Sequence, residues 1–250
     1  GTFHIPMPPQ RADAFERARR SLLNGAANIY RVPVEQLGVV VGPPRPSRAA
    51  LAAPSAKEAD RPILSLVGEG IISTSADEFG GQLVDSGGTL LFNRSIPRSQ
   101  NYTVFLARRQ GEGWDEPHVA PFSGTWRDFD VTASPDGKRL YFISDRPLSS
   151  GKANGHYNVW RVDRTATGWG APRPLGAPIN GDWSNHFASE ARDGTLYFTS
   201  DRPGSKGIVD LWASEPRGKG YSEPVNLGDA VNGEGLFNLV AAIDPAERFL

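Results

Sequence analysis

A phrase of eight residues returns along this chain, and few folds accommodate such a return. Leu140-Tyr141-Phe142-Ile143-Ser144-Asp145-Arg146-Pro147 is echoed by Leu196-Tyr197-Phe198-Thr199-Ser200-Asp201-Arg202-Pro203, each after an Asp-Gly pair, Asp136-Gly137 and Asp193-Gly194. Asp-Gly between apolar runs is a strong hairpin signal, because both residues tolerate the positive φ of a tight turn. Downstream of each phrase lie a third run, Asn158-Val159-Trp160 or Asp210-Leu211-Trp212, and a Gly-aromatic turn, Gly168-Trp169 or Gly220-Tyr221. A looser copy upstream has Phe79, Gly87-Gly88, Leu90-Leu91-Phe92-Asn93-Arg94, Thr103-Val104-Phe105-Leu106 and Gly113-Trp114. A last copy begins at Phe237, so that Phe79, Phe129, Phe187 and Phe237 fall 50, 58 and 50 residues apart.

Four short strands per unit, repeated about every 40–50 residues, mark an all-β chain folded as a β-propeller of four-stranded antiparallel blades. Full blades are expected at about 77–125, 127–183 and 185–234, with the start of the next at 235–250. Residues 1–62 read as a partial blade with insertions. Gln10 to Ala26 has Phe15, Ala18, Leu22 and Leu23 on one helical face, and Gly42 to Asp60 is a Pro-, Ala- and Ser-rich loop. Asn28-Ile29-Tyr30-Arg31-Val32 echoes Asn158-Val159-Trp160-Arg161-Val162, so Ile29 to Val32 is expected as a third strand and Ile63 to Val67 as a fourth. Two arrangements fit partial blades at both ends. The chain is a piece of a larger propeller, for example a six-bladed one, or its terminal half-blades complete each other in a four-bladed ring. The last residues stop where a second strand should still be running, which favours the first.

The Ser134-to-Pro147 phrase, its echo at Asp193 to Pro203, Asp210-Leu211-Trp212 and the Gly-aromatic…Leu-Gly tails at 168–176 and 220–228 resemble the TolB-type, WD-like propeller repeat. The resemblance covers about residues 63–250 and concerns architecture. It implies a periplasmic or secreted protein that binds a partner without catalysing a reaction. It also admits a propeller that forms part of an enzyme, either a lyase or hydrolase of acidic sugars or the gating domain of a serine peptidase.

Composition narrows the partners. Lys and Arg number 27 against 28 Asp and Glu, with no long block of one sign, which argues against nucleic acid. No apolar run approaches the ~18–20 residues of a membrane span, and no secretory leader is legible at Gly1-Thr2-Phe3-His4. Cysteine is absent, so disulfides, thiol catalysis and Cys-based zinc sites are excluded. His4, His118, His156 and His186 show no metal-binding spacing, and no P-loop or nucleophile-elbow motif occurs; no cofactor or metal is expected. Asn93-Arg94-Ser95 and Asn101-Tyr102-Thr103 fit the glycosylation triplet, a pattern frequent by chance.

Repeated residues serve the architecture first, because every blade needs the same corner. In the Ser-Asp-Arg-Pro phrase the Asp is expected to accept backbone N–H bonds from the turn after the second strand, and the Arg to pair with a carboxylate. The unrepeated residues beside them are the binding candidates. Glu78, Trp126, Arg127, Asp128, Trp183, Asn185 and His186 directly precede the first strands, and Arg146 and Arg202 are expected near them. In a propeller all of these converge on one rim, where the two tryptophans could stack on a sugar ring or a partner's side chain. The partner is expected to be a protein or glycan; oligomeric state is open.

Overall fold

The computed structural model describes residues 30–31, 65–95, 102–149, 155–229 and 231–232. The expected helix at Gln10 to Ala26, the loop before Asp60, and the copy starting at Phe237 lie outside them. The chain divides into two compact units, 1–78 and 79–250. In the first, β1 (Tyr30–Arg31) pairs antiparallel with β2 (Ser65–Leu66), Tyr30 opposite Leu66. A turn follows in which the Ile71 and Ile72 amides donate to the Gly68 carbonyl.

The second unit carries three antiparallel meanders. The first comprises β3 (Asp77–Val84), whose first two residues belong to the preceding unit, β4 (Thr89–Ser95), β5 (Thr103–Gln110), β6 (Gly113–Trp114) and β7 (His118–Val119). The second comprises β8 (Asp128–Ala133), β9 (Arg139–Ser144), β10 (Asn158–Thr165), β11 (Gly168–Trp169) and β12 (Arg173–Pro174). The third comprises β13 (Asn185–Glu190), β14 (Leu196–Ser200), β15 (Asp210–Ser214), the short hairpin β16 (Pro216–Arg217) with β17 (Gly220–Tyr221), and β18 (Val225–Asn226). Each meander runs first strand to second to third, and the third then pairs with β7, β12 or β18. These are propeller blades, here numbered 1 to 3. The Gly-aromatic pairs close tight hairpins on the third strands of blades 1 and 2, with Trp114 opposite Arg109 and Trp169 opposite Arg164. In blade 3 that hairpin is β16–β17.

The Asp-Gly turns close the first hairpins by local chemistry. Asp136 accepts the Ser134 hydroxyl at 2.6 Å and the Lys138 amide at 3.0 Å, while Gly137 sits at φ 67. Asp193 likewise accepts both the amide and hydroxyl of Thr195. These side-chain bonds satisfy turn donors that no ladder reaches.

Second strands hold the blades together. Successive side chains of a strand point to opposite faces. Leu140 and Phe142 of β9 therefore enter a core shared with Leu91, Val104 and Phe122 of blade 1. Tyr141 and Ile143 enter another core with Leu196, Phe198 and Trp212 of blade 3. Both faces are covered, which is why these strands read as continuous apolar runs instead of alternating ones.

The first strands carry a bulge that shifts one expected equivalence. Opposite β9 the register jumps between Phe129 and Thr132, and opposite β14 between His186 and Ser189. Asp130 (φ 53) and Phe187 (φ 48) lie within these shifts, and Gly80 in β3 has a similar positive φ of 64. Phe129 thus corresponds to His186, and Phe187 to Asp130. The match of Phe187 with Phe79 and Phe129 is off by one residue, because identity alone does not reveal which residue the bulge takes up.

Candidate functional site

The Ser-Asp-Arg-Pro phrase builds a buried corner. Ser144 Oγ accepts Arg146 Nε at 2.9 Å, and Arg146 Nη2 donates to the Phe122 carbonyl at 3.0 Å and to Asp128 Oδ1 at 2.5 Å. In blade 3, Ser200 Oγ accepts Arg202 Nε at 3.1 Å, and Arg202 Nη2 donates to the Ile179 carbonyl and to Asn185 Oδ1. Among the described residues, the Asp of the phrase accepts from the incoming connection and not from the turn after its own strand. Asp145 accepts the amide of Arg127, and Asp201 that of Ser184, so each pins the chain entering its blade's first strand. The expected partner was a neighbouring turn amide; the register of the incoming connection brings this one closer.

Each guanidinium also lies over aromatic rings, a favourable cation–π arrangement when water is excluded. Arg146 is 5.1 Å from both the Phe142 and Trp160 rings, and Arg202 is 4.8 Å from Phe198. Blade 1 lacks an Arg at that position, yet Arg94, two residues earlier, sits 5.3 Å from Phe92 and 5.1 Å from Phe105.

The corner decides which candidates remain accessible. Asp128 and Asn185 are fully buried, Arg146 and Arg202 are 9% and 5% exposed, and Glu78 is buried with its carboxylate accepting the Thr74 amide and hydroxyl. These five hold the fold at positions expected to meet a ligand. Their polar atoms turn inward because an unpaired donor or acceptor in the core would cost more than the bonds made. Trp183 is half-buried: its indole N–H donates to the Ile179 carbonyl at 2.9 Å, and its ring stacks 4.9 Å from Arg202. Asn93, first residue of a glycosylation triplet, is also buried, bonded to the Asp128 carbonyl and the Asp130 amide across the bulge of β8.

Trp126, Arg127 and His186 stay at the surface or near it. Trp126 is 40% exposed. Arg127 Nη1 donates to the Tyr157 hydroxyl at 3.2 Å, and its Nε lies 3.8 Å from Asp145. His186 is half-buried, 5.5 Å from the Tyr157 ring and 6.0 Å from Phe129. Burial lowers its pKa, opposed by the charge of Asp201, so the imidazole is neutral at physiological pH. Tyr157 thus links Arg127 to His186, and the run continues from Phe129 through Tyr102 to Phe79 at ring separations of 5.5 and 5.4 Å. Trp126, Arg127 and Asp145 also line, with Thr103, Gly124 and Thr125, a cleft of about 180 Å³.

Four residues escaped sequence reasoning: Tyr157, Asn180, Asn232 and Asp130. Tyr157 precedes β10 as Tyr102 precedes β5, a recurrence that was legible. Asn180 clamps both the amide and carbonyl of Val159, and Asn232 does the same to Leu211, matching Leu-Gly-x-x-Ile/Val-Asn at 175–180 and 227–232. Asp130 left no signal. The residue is 7% exposed, one carboxyl oxygen is buried without a hydrogen-bond partner, and desolvation pushes its pKa up to about 7 against a bond from the Phe187 amide. Among the described residues, no group of three or more His, Cys, Asp or Glu is placed to hold a metal ion.

No family model matches the chain, and no curated protein does. Among solved structures it is similar to TolB from Acinetobacter baumannii, at 16% identity and a TM-score of 0.43 over 65% of this chain and 37% of that one. A putative TolB from Agrobacterium tumefaciens shares 16% identity, with a TM-score of 0.36 over 64% of this chain and 65% of that one. A puromycin-hydrolyzing peptidase of Mycobacterium tuberculosis shares 16% identity, with a TM-score of 0.43 over 61% of this chain and 22% of that one. The chain therefore spans well under half the length of the first and third of these. The propeller assignment rests on the meanders, registers and shared cores of the chain itself.

Proposed function

We propose that this chain is a propeller scaffold that binds a protein or polymer of the bacterial envelope through its rim, without chemistry of its own. The observation that carries the reading is a contrast within one corner. The repeated Ser144 and Arg146 side chains turn inward to hold the blade, whereas Trp126, whose counterpart Trp183 in blade 3 is half-buried against Arg202, stands 40% exposed beside the Arg127–Asp145 pair. An exposed aromatic next to oriented polar groups is the composition of a binding hot spot. An envelope or secreted location belongs to the same reading and is checked by cell fractionation.

The test is a combined Trp126→Ala, Arg127→Ala and His186→Ala change. Envelope proteins and glycans retained by the immobilised wild-type chain should be lost from the variant, while its circular dichroism and cooperative melt persist. Retention of the same set by a folded triple variant would refute the proposal.

A further inference from the structure

Building on the rim as a binding surface, we propose that the cleft beside Trp126 receives one neutral pyranose ring of an oligosaccharide. Size is the first constraint. A cleft of about 180 Å³ has room for about six waters at ~30 Å³ each. That lies below the ~300 Å³ at which pockets begin to enclose whole small molecules. It suits one ring of a longer molecule that continues along the rim.

The chemistry of the walls is the second. A pyranose has an apolar C–H face and a belt of hydroxyls, each both donor and acceptor. The Trp126 indole supplies a broad apolar face with 40% of the residue open. The belt needs donors and acceptors held in a plane. A guanidinium carries five N–H donors and a carboxylate about four acceptor sites, so Arg127 and Asp145 can serve hydroxyls while remaining an ion pair at 3.8 Å. Both are oriented beforehand: Arg127 by the Tyr157 hydroxyl, and Asp145 by the Arg127 amide at 3.0 Å. Thr103 and Thr125 add hydroxyls to the wall. Gly124 lines the cleft at φ 100, a conformation that favours glycine, and a Cβ there would press on Val119 Cγ1 at 3.0 Å.

Charge is the third. Arg127 and Asp145 stand 3.8 Å apart and balance each other. A phosphate or uronate entering the cleft would face the Asp145 carboxylate, so the favoured sugar is uncharged.

The test titrates the folded chain with cellotetraose, mannotetraose, chitotetraose, an acidic trigalacturonate and a proline-rich peptide. The readout is the indole N–H resonance of Trp126, identified by its disappearance in Trp126→Phe. A neutral tetraose should shift that resonance saturably. Affinity, measured for every variant by isothermal titration calorimetry, should fall by about tenfold or more in Trp126→Ala and in Asp145→Asn, and hold in Arg192→Ala, an exposed residue outside the cleft lining. Silence toward every neutral tetraose at millimolar concentration, or a stronger response to trigalacturonate, overturns the assignment. A response to the peptide alone also overturns it, while leaving the rim as a protein-binding surface. The rim reading itself falls only if the triple variant above retains every wild-type capture.

Discussion

Replacing Asp130 with asparagine should stabilise the chain at mildly alkaline pH and change little in acid. In the fold this carboxyl has a pKa of about 7, against an ordinary 3.8, with desolvation as the first cause. Folding therefore favours its protonated form. The raised value confers stability that is fully present below about pH 4, is withdrawn as pH rises, and is gone above about pH 7. A gap of about three units, at ~1.4 kcal/mol each, amounts to about 4 kcal/mol at its upper limit. Asparagine carries no charge, keeps an oxygen for the Phe187 amide, and tolerates the positive φ of the bulge, a conformation that Gly80 also adopts in blade 1. Urea unfolding of both proteins from about pH 4 to about pH 8.5 measures the difference directly. The stability gain of Asp130→Asn should grow from near zero to several kcal/mol across that window. At ~2–4 °C per kcal/mol for a chain of this size, the melting point should rise by roughly 10 °C at the alkaline end. A gain independent of pH, or a loss at pH 8, would refute the reasoning.

The corner makes a second comparison possible. Asp128→Ala leaves Arg146 buried without its carboxylate and should cost about 3–5 kcal/mol, whereas Asp128→Asn recreates the Asn185–Arg202 contact of blade 3 and should cost about 1–2 kcal/mol; denaturant titration of both variants separates the outcomes. Between blades 2 and 3, Arg139 meets the buried Glu190 through two bonds of 3.1 and 2.9 Å, and a double-mutant cycle should give a coupling of at least about 1 kcal/mol. The exposed Arg164–Asp85 pair between blades 1 and 2 should give less than about 1 kcal/mol in the same experiment.

Blade architecture was readable because each blade must solve the same local problems. Asp136-Gly137 and Asp193-Gly194 recur since the first hairpin needs that turn, and the Leu-Tyr-Phe runs recur since both faces of a second strand are covered. The rim was harder to read, because repetition and burial are different properties. Arg146 and Arg202 looked like rim cations, yet their guanidinium groups lie under aromatic rings inside the corner. Arg94 performs the same stacking from another position, so no alignment of the phrase reveals it. Phe187 shows the opposite error: an identical residue at nearly the right spacing falls on the bulge instead of beside β14. A one-residue bulge exchanges faces while leaving composition untouched, which pattern reading does not detect.

The division of the β9 side chains between two cores bears on how such a chain can change length over time. Leu140 and Phe142 belong to one joint, Tyr141 and Ile143 to the next. Loss or gain of a single residue within the strand would trade the contents of the two joints and spoil both. Duplication of a whole unit, in contrast, supplies a matching half to each joint it creates. Growth by complete blades, with length variation confined to the loops between strands, is the course such packing leaves open.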